Sequence, residues 1–265
     1  MIKNKNQYWG SNYIFYEGAI YLGTLPYTDL HRFHYLAVSV GNKKPINLRT
    51  ENGFYQAYTF IIGPDVLHTG IDYEEEGIAI LLSPESELAQ KIAEKYLKDN
   101  NFMSPQIKRD IQAINRYFSE PSIENAVEIY HSVIDSLELP DTGNSQKDYR
   151  IINAINYIQN LEVKKASTKE IAEHVGLSEG RLTHLFKEQV GIPIRRYLQW
   201  YRLIDAMGAL CKGKSLTYAA HEAEFADYAH LSRCFTETHG YSISAGFKNI
   251  KVIIVEPFLR IPQKM

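Results

Sequence analysis

Ser167-Thr-Lys-Glu-Ile-Ala-Glu-His-Val-Gly-Leu-Ser-Glu-Gly-Arg-Leu-Thr-His-Leu-Phe-Lys-Glu-Gln-Val-Gly191 decides how the C-terminal half of the chain folds. It predicts two short helices joined by a tight turn. Ser167 and Glu170 stand at the spacing at which a hydroxyl and a carboxylate satisfy the free amides of a helix start reciprocally. Gly176 falls where the first helix must stop, and Ser178 is placed to cap the next one. Leu182, Leu185 and Phe186 share one side of that second helix, while Glu179, Arg181, Thr183, His184 and Lys187 point elsewhere. A short helix with a buried stripe and a polar, partly basic outer face suits a DNA major groove. The same pair of helices also occurs in all-helical domains that never touch DNA, so the rest of the chain has to decide.

The chain has 265 residues, enough for one large domain or two ordinary ones. Its apolar content is that of a globular protein. Its N-terminus, Met1-Ile-Lys-Asn-Lys-Asn-Gln-Tyr8, lacks the apolar core of a signal peptide, and no run is long enough for a membrane helix. A cytoplasmic protein with no membrane contact is expected. Cys211 and Cys234 are not at a metal-binding spacing and read as small thiols within helices. The net charge of −2 conceals an asymmetry: residues 1–146 carry 12 Lys and Arg against 19 Asp and Glu, whereas residues 147–265 carry 17 against 12. The second half, at +5, is the candidate for nucleic acid, although solvated basic faces are common.

The first ~80 residues read as short aromatic and β-branched runs broken by turn formers. The clearest are Tyr13–Tyr16, Ala19–Leu22, Phe33–Val40, Tyr55–Ile62 and Gly77–Leu82. With no helices between them, an antiparallel sandwich or barrel is expected. From Ser83 the period changes. One helix is predicted with Pro84 at its first position, a second after Ser104-Pro105 with Ile107, Ile111, Ile114 and Phe118 on one face, and a third after Pro121 with Ile123, Val127, Tyr130, Ile134 and Leu137. These stripes fit either packing on the β domain or a seam with a second copy. Residues 140–149 are turn formers and make the predicted linker. The fold class is therefore α+β. An antiparallel β-sandwich or barrel with its helices occupies 1–139 (β part about 1–82, helices about 83–139), and an all-α domain occupies 150–250. The tail 251–265 has no assignment; its Val252-Ile-Ile-Val255 suits a strand packed back on the body.

After Gly191, Pro193 is placed to start a long helix through Ile194, Leu198, Tyr201, Met207 and Leu210, ending near Lys212-Gly213. The opening pattern then returns over Ser215 to Gly240. Asp227 takes the capping place of Ser178, Leu231 and Phe235 those of Leu182 and Phe186, and Gly240 that of Gly191, a repeat of 49 residues from cap to cap.

Two helix-turn-helix units bridged by one long helix resemble the AraC/XylS family of bacterial transcription regulators. The likeness covers about 100 residues, Ile151 to Lys248. It rests on Gly176-Leu-Ser178, Leu182-Thr-His-Leu-Phe-Lys187, Gly191, Tyr197-Leu198, Arg202, Ala206, Asp227, His230-Leu-Ser-Arg-Cys-Phe235 and Gly240-Tyr-Ser242. The family usually has Gly-Phe where this chain has Glu224-Phe225, and Ser-Pro where it has Ser242-Ile243; the first departure puts the second turn in doubt. The resemblance implies that both second helices enter successive major-groove segments of promoter DNA. It places Arg181, Thr183 and His184, beside a side-chain-less Gly180, at the base-facing surface of the first unit, and Tyr228, His230, Ser232 and Arg233 at that of the second. Lys187, Arg195, Arg196 and Lys248 are the phosphate candidates. For each residue a solvated or structurally paired side chain is the competing reading. The resemblance further implies a homodimer, activation beside RNA polymerase, and no enzymatic activity or cofactor.

More weakly, the first half resembles the cupin-like sensor domain that often precedes this DNA-binding domain, through Phe60-Ile-Ile-Gly-Pro-Asp-Val-Leu-His68. Twelve aromatic residues between Tyr8 and Tyr58 leave room for a small-molecule effector pocket, against the plainer reading of core and strand pairs. A dimerisation or protein-partner module is the second reading. A metal-dependent cupin enzyme built on His31, His34, His68 and Glu74 to Glu76 is a third, and strand alternation opposes it by setting His31 and His34 on opposite faces.

Overall fold

The computed structural model describes residues 9–15, 17–24, 27–70, 76–98, 100–140, 147–160 and 166–255. Tyr8, Tyr16, Glu74, Glu75, Lys164, Lys165, most of the predicted linker (141–146) and most of the tail (256–265) lie outside the described residues. The chain divides into two compact units: residues 1–143 together with 239–265, and residues 144–238.

The first unit holds the strands β1 (Gly10–Phe15), β2 (Gly18–Thr24), β3 (His31–Arg32), β4 (Leu36–Gly41), β5 (Ile46–Thr50), β6 (Gly53–Ala57), β7 (Thr59–Ile62), β8 (Leu67–Gly70), β9 (Glu76–Leu82), β10 (Phe102–Met103) and β11 (Ile250–Ile254). Among the described residues they form a seven-stranded sheet, β10-β7-β4-β9-β2-β1-β11, and a four-stranded sheet, β3-β8-β5-β6. Every pairing is antiparallel except that of β1 with β11. The run Tyr55–Ile62, a single strand by pattern, breaks at Tyr58 and supplies β6 to one sheet and β7 to the other. Such a corner keeps both halves β-rich in sequence, so composition cannot reveal it.

The larger sheet is covered by α1 (Glu87–Ile92), α2 (Ile111–Ser119) and α3 (Ile123–Ser136), which share one core with Leu22, Val38, Ile61, Ile78 and Ile80. The helical stripes therefore pack on the β domain of the same chain. Two starts differ from the sequence reading. Ser86, not Pro84, opens α1, its Oγ accepting from the Ala89 amide at 3.2 Å. Asp110, not Ser104-Pro105, caps α2. The segment before it is pinned by Arg109, which donates to the carbonyls of Gly41 and Asn42 at 2.9 and 2.8 Å and lies 3.8 Å from the Tyr58 ring centre. That long-range bonding competes with an earlier helix start. The predicted faces are borne out in part: Ile114, Tyr130 and Leu137 are buried and Ile107, Phe118 and Ile134 pack on the same core, while the fully buried set extends to neighbouring positions. Ala113, Ile114 and Tyr117 face the core on α2 and Ala126, Ile129, Tyr130 and Val133 on α3, while Ile111 and Ile123 stay 37% and 38% exposed. Small alanines allow close approach to the sheet, and the Tyr117 hydroxyl lies 3.1 Å from that of Tyr13.

The second unit packs α4 (Tyr149–Asn160), α5 (Thr168–His174), α6 (Glu179–Val190) and α7 (Ile194–Cys211) around Ile151, Ile158, Ile171, Leu182, Phe186 and Tyr197. It continues with α8 (Leu216–Glu222) and α9 (Tyr228–His239), whose last residue already belongs to the first unit together with α10 (Ile243–Asn249). Among the described residues no helix is long and apolar enough to cross a membrane.

His31 and His68 meet across the β3–β8 pair with ring centres 4.4 Å apart. Each Nδ1 bonds a carbonyl two residues earlier, Asp29 at 2.8 Å and Val66 at 2.9 Å, which fixes the proton on Nδ1. The Nε2 of His31 is buried without a hydrogen-bond partner. Burial, and then the neighbouring His68, lowers the His31 pKa from 6.5 to about 3, and burial lowers that of His68. Both rings are therefore neutral in the folded state at neutral pH. The unfolded chain binds protons below pH 6.5 that the folded chain refuses until about pH 3, so stability is retained above 6.5 and lost as pH falls toward 3. Denaturant titration of the protein should show a decline below pH 6.5 of up to roughly 1.4 kcal/mol per pH unit for each histidine. His31→Phe should flatten that decline; an unchanged slope in the variant would show that His31 does not contribute to it.

Candidate nucleic-acid interface

Helix termini position the candidate face. Ser167 and Glu170 form the predicted reciprocal cap: the Ser167 amide donates to Glu170 Oε2 at 2.6 Å and the Glu170 amide to Ser167 Oγ at 3.2 Å. The Ser167 amide, and after it the Ser167 hydroxyl, which donates to the same Oε2 at 2.8 Å, hold the Glu170 carboxyl below the usual carboxylate range. Ser178 Oγ accepts from the Arg181 amide at 3.3 Å, so the cap of α6 is set one turn before the residues expected to face bases. In the second unit of the repeat, Asp227 Oδ1 accepts from the His230 amide at 2.7 Å.

The two helix-turn-helix units match closely. Their first helices have seven residues each and their second helices twelve each. The turns bond alike: the Leu177 amide donates to Ala172 O and the Phe225 amide to Ala220 O, both at 2.9 Å. Glu224 thus stands where Gly176 stands, 48 residues on, and takes the same left-handed backbone, φ 60° against 68°. The caps are 49 apart because Ala226 adds one residue between turn and cap. The departure at Glu224 leaves the turn's geometry intact at the cost of strain, since a side chain in this conformation is disfavoured by about 1–2 kcal/mol.

Side-chain placement separates the two faces. Arg181, Thr183, His184 and Lys187 are all exposed on α6, opposite buried Leu182, Leu185 and Phe186. The Thr183 hydroxyl donates to Glu179 O at 2.8 Å, which engages its hydrogen in the helix. Two carboxylates lie close by: Glu188 is 3.7 Å from His184 Nδ1, and Glu179 is 3.9 Å from Arg195 Nη2. Both pairs are exposed and weak, so neither holds its side chain away from a competing phosphate. Arg196 is half-buried. On α9, Tyr228 and Arg233 are exposed, Ser232 is half-buried, and half-buried His230 sets its ring edge-on to Phe225 at 5.3 Å. Lys248 is exposed on α10, within the first unit rather than the second.

Other residues near this face escaped the sequence reading. Arg150 grips Asp148 with two bonds of 2.9 and 2.6 Å, and the Asp148 amide donates to Gln189 Oε1 at 2.9 Å, tying the end of the linker to α6. Arg150 lowers the Asp148 pKa to about 2. The i,i+2 spacing of Asp148 and Arg150 was visible, but the Gln189 contact is tertiary. Residues 144–238 carry 13 Lys and Arg against 11 Asp and Glu, and residues 239–265 carry 4 against 1, so +3 of the C-terminal +5 lies outside the second unit.

A metal centre in the first unit draws no support from the geometry. Among the described residues no group of three His, Cys, Asp or Glu side chains is placed to share a metal ion. His31 and His34 are not set on opposite faces of one strand. β3 ends at Arg32, so His34 is not on that strand, and both His31 and His34 are buried. The imidazoles that neighbour His31 are those of His68 and His239.

The helix-turn-helix domain family matches residues 171–249. The HTH-type transcriptional activator RhaS of Escherichia fergusonii is 30% identical over 101 residues, 38% of this chain and 36% of RhaS. The chain thus aligns with about a third of that relative's length. ToxT from Vibrio cholerae O395 superposes with a TM-score of 0.54 over 93% of this chain and 99% of its own at 12% identity. Unsaturated fatty acid bound ToxT of strain SCE256 gives 0.52 over 91% and 95% at 13% identity. The chain carries a member of the helix-turn-helix domain family. Its second unit carries the AraC-type helix-turn-helix pair, a DNA-binding fold, and its strand-rich first part followed by helices repeats the two-domain layout of ToxT. Within that family frame Glu224 is the informative departure. Glu224→Gly should raise stability by about 1 kcal/mol by relieving the left-handed side chain. Chemical denaturation monitored on the second unit checks this, and a loss of stability would mean that the carboxylate's contacts outweigh the strain.

Proposed function

We propose that the protein is a sequence-specific transcription activator that reads a two-part promoter element, with 150–250 as the DNA-binding region and 1–139 as a dimerising, effector-responsive one. The single observation that carries the DNA reading is the exposed polar face of α6, presented behind a capped turn and repeated with the same helix lengths in α8 and α9. Arg181 and Arg233 are suited to guanine's paired acceptors, and the Thr183 methyl to thymine. Tyr228, His230, Ser232 and His184 complete the base-facing set, while Lys187, Arg195, Arg196 and Lys248 neutralise phosphate. Since His230 and Ser232 are half-buried whereas Arg181, Thr183 and His184 are all exposed, the first helix-turn-helix is assigned the larger share of specificity.

Selection of binding fragments from a random DNA pool supplies the operator. On that fragment Arg181→Ala and Arg233→Ala should each cost about 1–3 kcal/mol and relax preference at one base pair, whereas Lys187→Ala should weaken all sequences alike and lower the salt dependence by about one ion. Failure to enrich any sequence would remove the DNA reading.

The effector reading rests on the aromatic content of the first unit and on the sensor-like layout. Tyr13 and Tyr21 are buried in the core, which favours structural roles for them, while Tyr27 and Phe54 are 66% and 59% exposed. ToxT is described in complex with an unsaturated fatty acid, and that class belongs in a ligand panel with sugars and aromatic acids. A thermal shift with altered DNA affinity supports effector control. DNA binding with no shift across the panel favours a protein-partner or dimerisation module. Sedimentation at tens of micromolar should give a dimer; monomer alone would remove dimerisation from the reading.

A further inference from the structure

The exposed face of α4 differs in kind from its neighbours. Between Ile151 and Asn160 the chain has no charged residue, whereas the outward positions of α5 carry Lys169, Glu170 and Glu173 and those of α6 carry Arg181, Lys187 and Glu188. In place of charges α4 presents Asn153, Asn156 and Asn160, all exposed. Asparagine is disfavoured within a helix, and lysine or glutamate would hold a solvated face at lower cost. Stability of α4 therefore does not account for the three carboxamides.

They line a groove of about 340 Å³ together with Tyr157 and His174. All five residues belong to the second unit. Spacings of three and four residues put Asn153, Asn156 and Asn160 on one stripe of the helix, with successive rungs about 4.5 and 6 Å apart along its axis. The Asn160 Nδ2 donates to Asn156 O at 2.8 Å, which orients that carboxamide along the helix. The rest of the lining is aromatic: Tyr157 of α4 and His174 of α5 stack with ring centres 4.1 Å apart and planes at 24°. At that separation no third ring fits between them, so a ligand packs against the pair from outside.

Each lining group narrows the chemistry of that ligand. No Asp, Glu, Lys or Arg lines the groove, which favours a neutral molecule. A carboxamide offers two donors and an acceptor, and a hydroxyl matches it in both senses. The aromatic pair adds a surface for an apolar ring face. A flat heterocycle carries its donors and acceptors in its own plane, so with its face on the rings its edge meets one rung of the stripe. The hydroxyls of a sugar ring project in several directions and can meet two.

We propose that this groove is a binding site for a neutral saccharide, with a sugar ring packed on the Tyr157–His174 pair and its hydroxyls on the Asn153 and Asn156 carboxamides. The site is distinct from the effector region assigned to residues 1–139, and it rests on neither the DNA reading nor the effector reading above.

The probes are the methyl glycosides of glucose, galactose and mannose, with adenosine and uridine as flat comparators. Each is titrated into the full chain and read by the amide resonances of residues 153–160 and 174. Two or three hydrogen bonds in an open groove give binding of about millimolar strength. At least one glycoside should shift those resonances saturably. Asn153→Ala and Asn156→Ala should each weaken that glycoside about fivefold, the worth of one hydrogen bond. Alanine favours a helix, so both variants should keep the thermal stability of the wild type, and weaker binding in them is then not a sign of unfolding. A glycoside that shifts only resonances of the first unit, a nucleoside that saturates the groove where no glycoside does, or unchanged affinity in both variants overturns the proposal. So does the lack of a saturable shift from every probe at tens of millimolar.

Discussion

The outer amides and carbonyls of β1 need partners, and the chain supplies them from its far end. A strand edge left open costs the hydrogen bonds it could make and invites pairing with other molecules. Here β11 satisfies β1 on one side as β2 does on the other, so the N-terminal sheet reaches its full width only when the residues after the last helix-turn-helix are in place. α10 and Lys248 count as part of the first unit, and most of the basic excess of the C-terminal half goes with them.

The DNA-facing surface depends on a different constraint. Helices of seven and twelve residues are too short to be stable alone, and they persist because caps satisfy their first amides and apolar stripes bury against α4 and α7. The turn between them requires one residue with a left-handed backbone. Gly176 meets that requirement without strain and Glu224 meets it with strain, yet the bonds around them are the same length. The geometry is set by the tertiary demand that two buried stripes face one core, and local preference yields to it.

Much of this was legible in local pattern. Ser167, Ser178 and Asp227 cap the helices that the sequence pattern assigns to them, and α7 runs from Ile194 to Cys211, between Pro193 and Lys212, as its apolar spacing indicates. Exposure of Arg181, Thr183 and His184 follows from burial of Leu182, Leu185 and Phe186, because the period of a helix fixes one from the other. Less was legible in the first unit. The buried faces of α2 and α3 extend beyond the predicted stripes, since alanine at Ala113 and Ala126 gives a weak apolar signal but the closest approach to a sheet. The break at Tyr58 and the meeting of His31, His68 and His239 depend on which strands become neighbours, and nothing within a few residues of each position records that.

By itself the sequence determined the class of the protein: a strand-rich half, covering helices, and a repeated helix-turn-helix with named caps, turns and outward polar faces. These are properties of spacing, and spacing acts over one or two turns of chain. Only the tertiary structure decided where the units divide, how far the buried face of each covering helix extends, that Glu224 adopts glycine's conformation, and that β11 returns to β1. Each of those outcomes is a contest between distant surfaces for burial and hydrogen bonds, and the winner is set by packing of the whole unit.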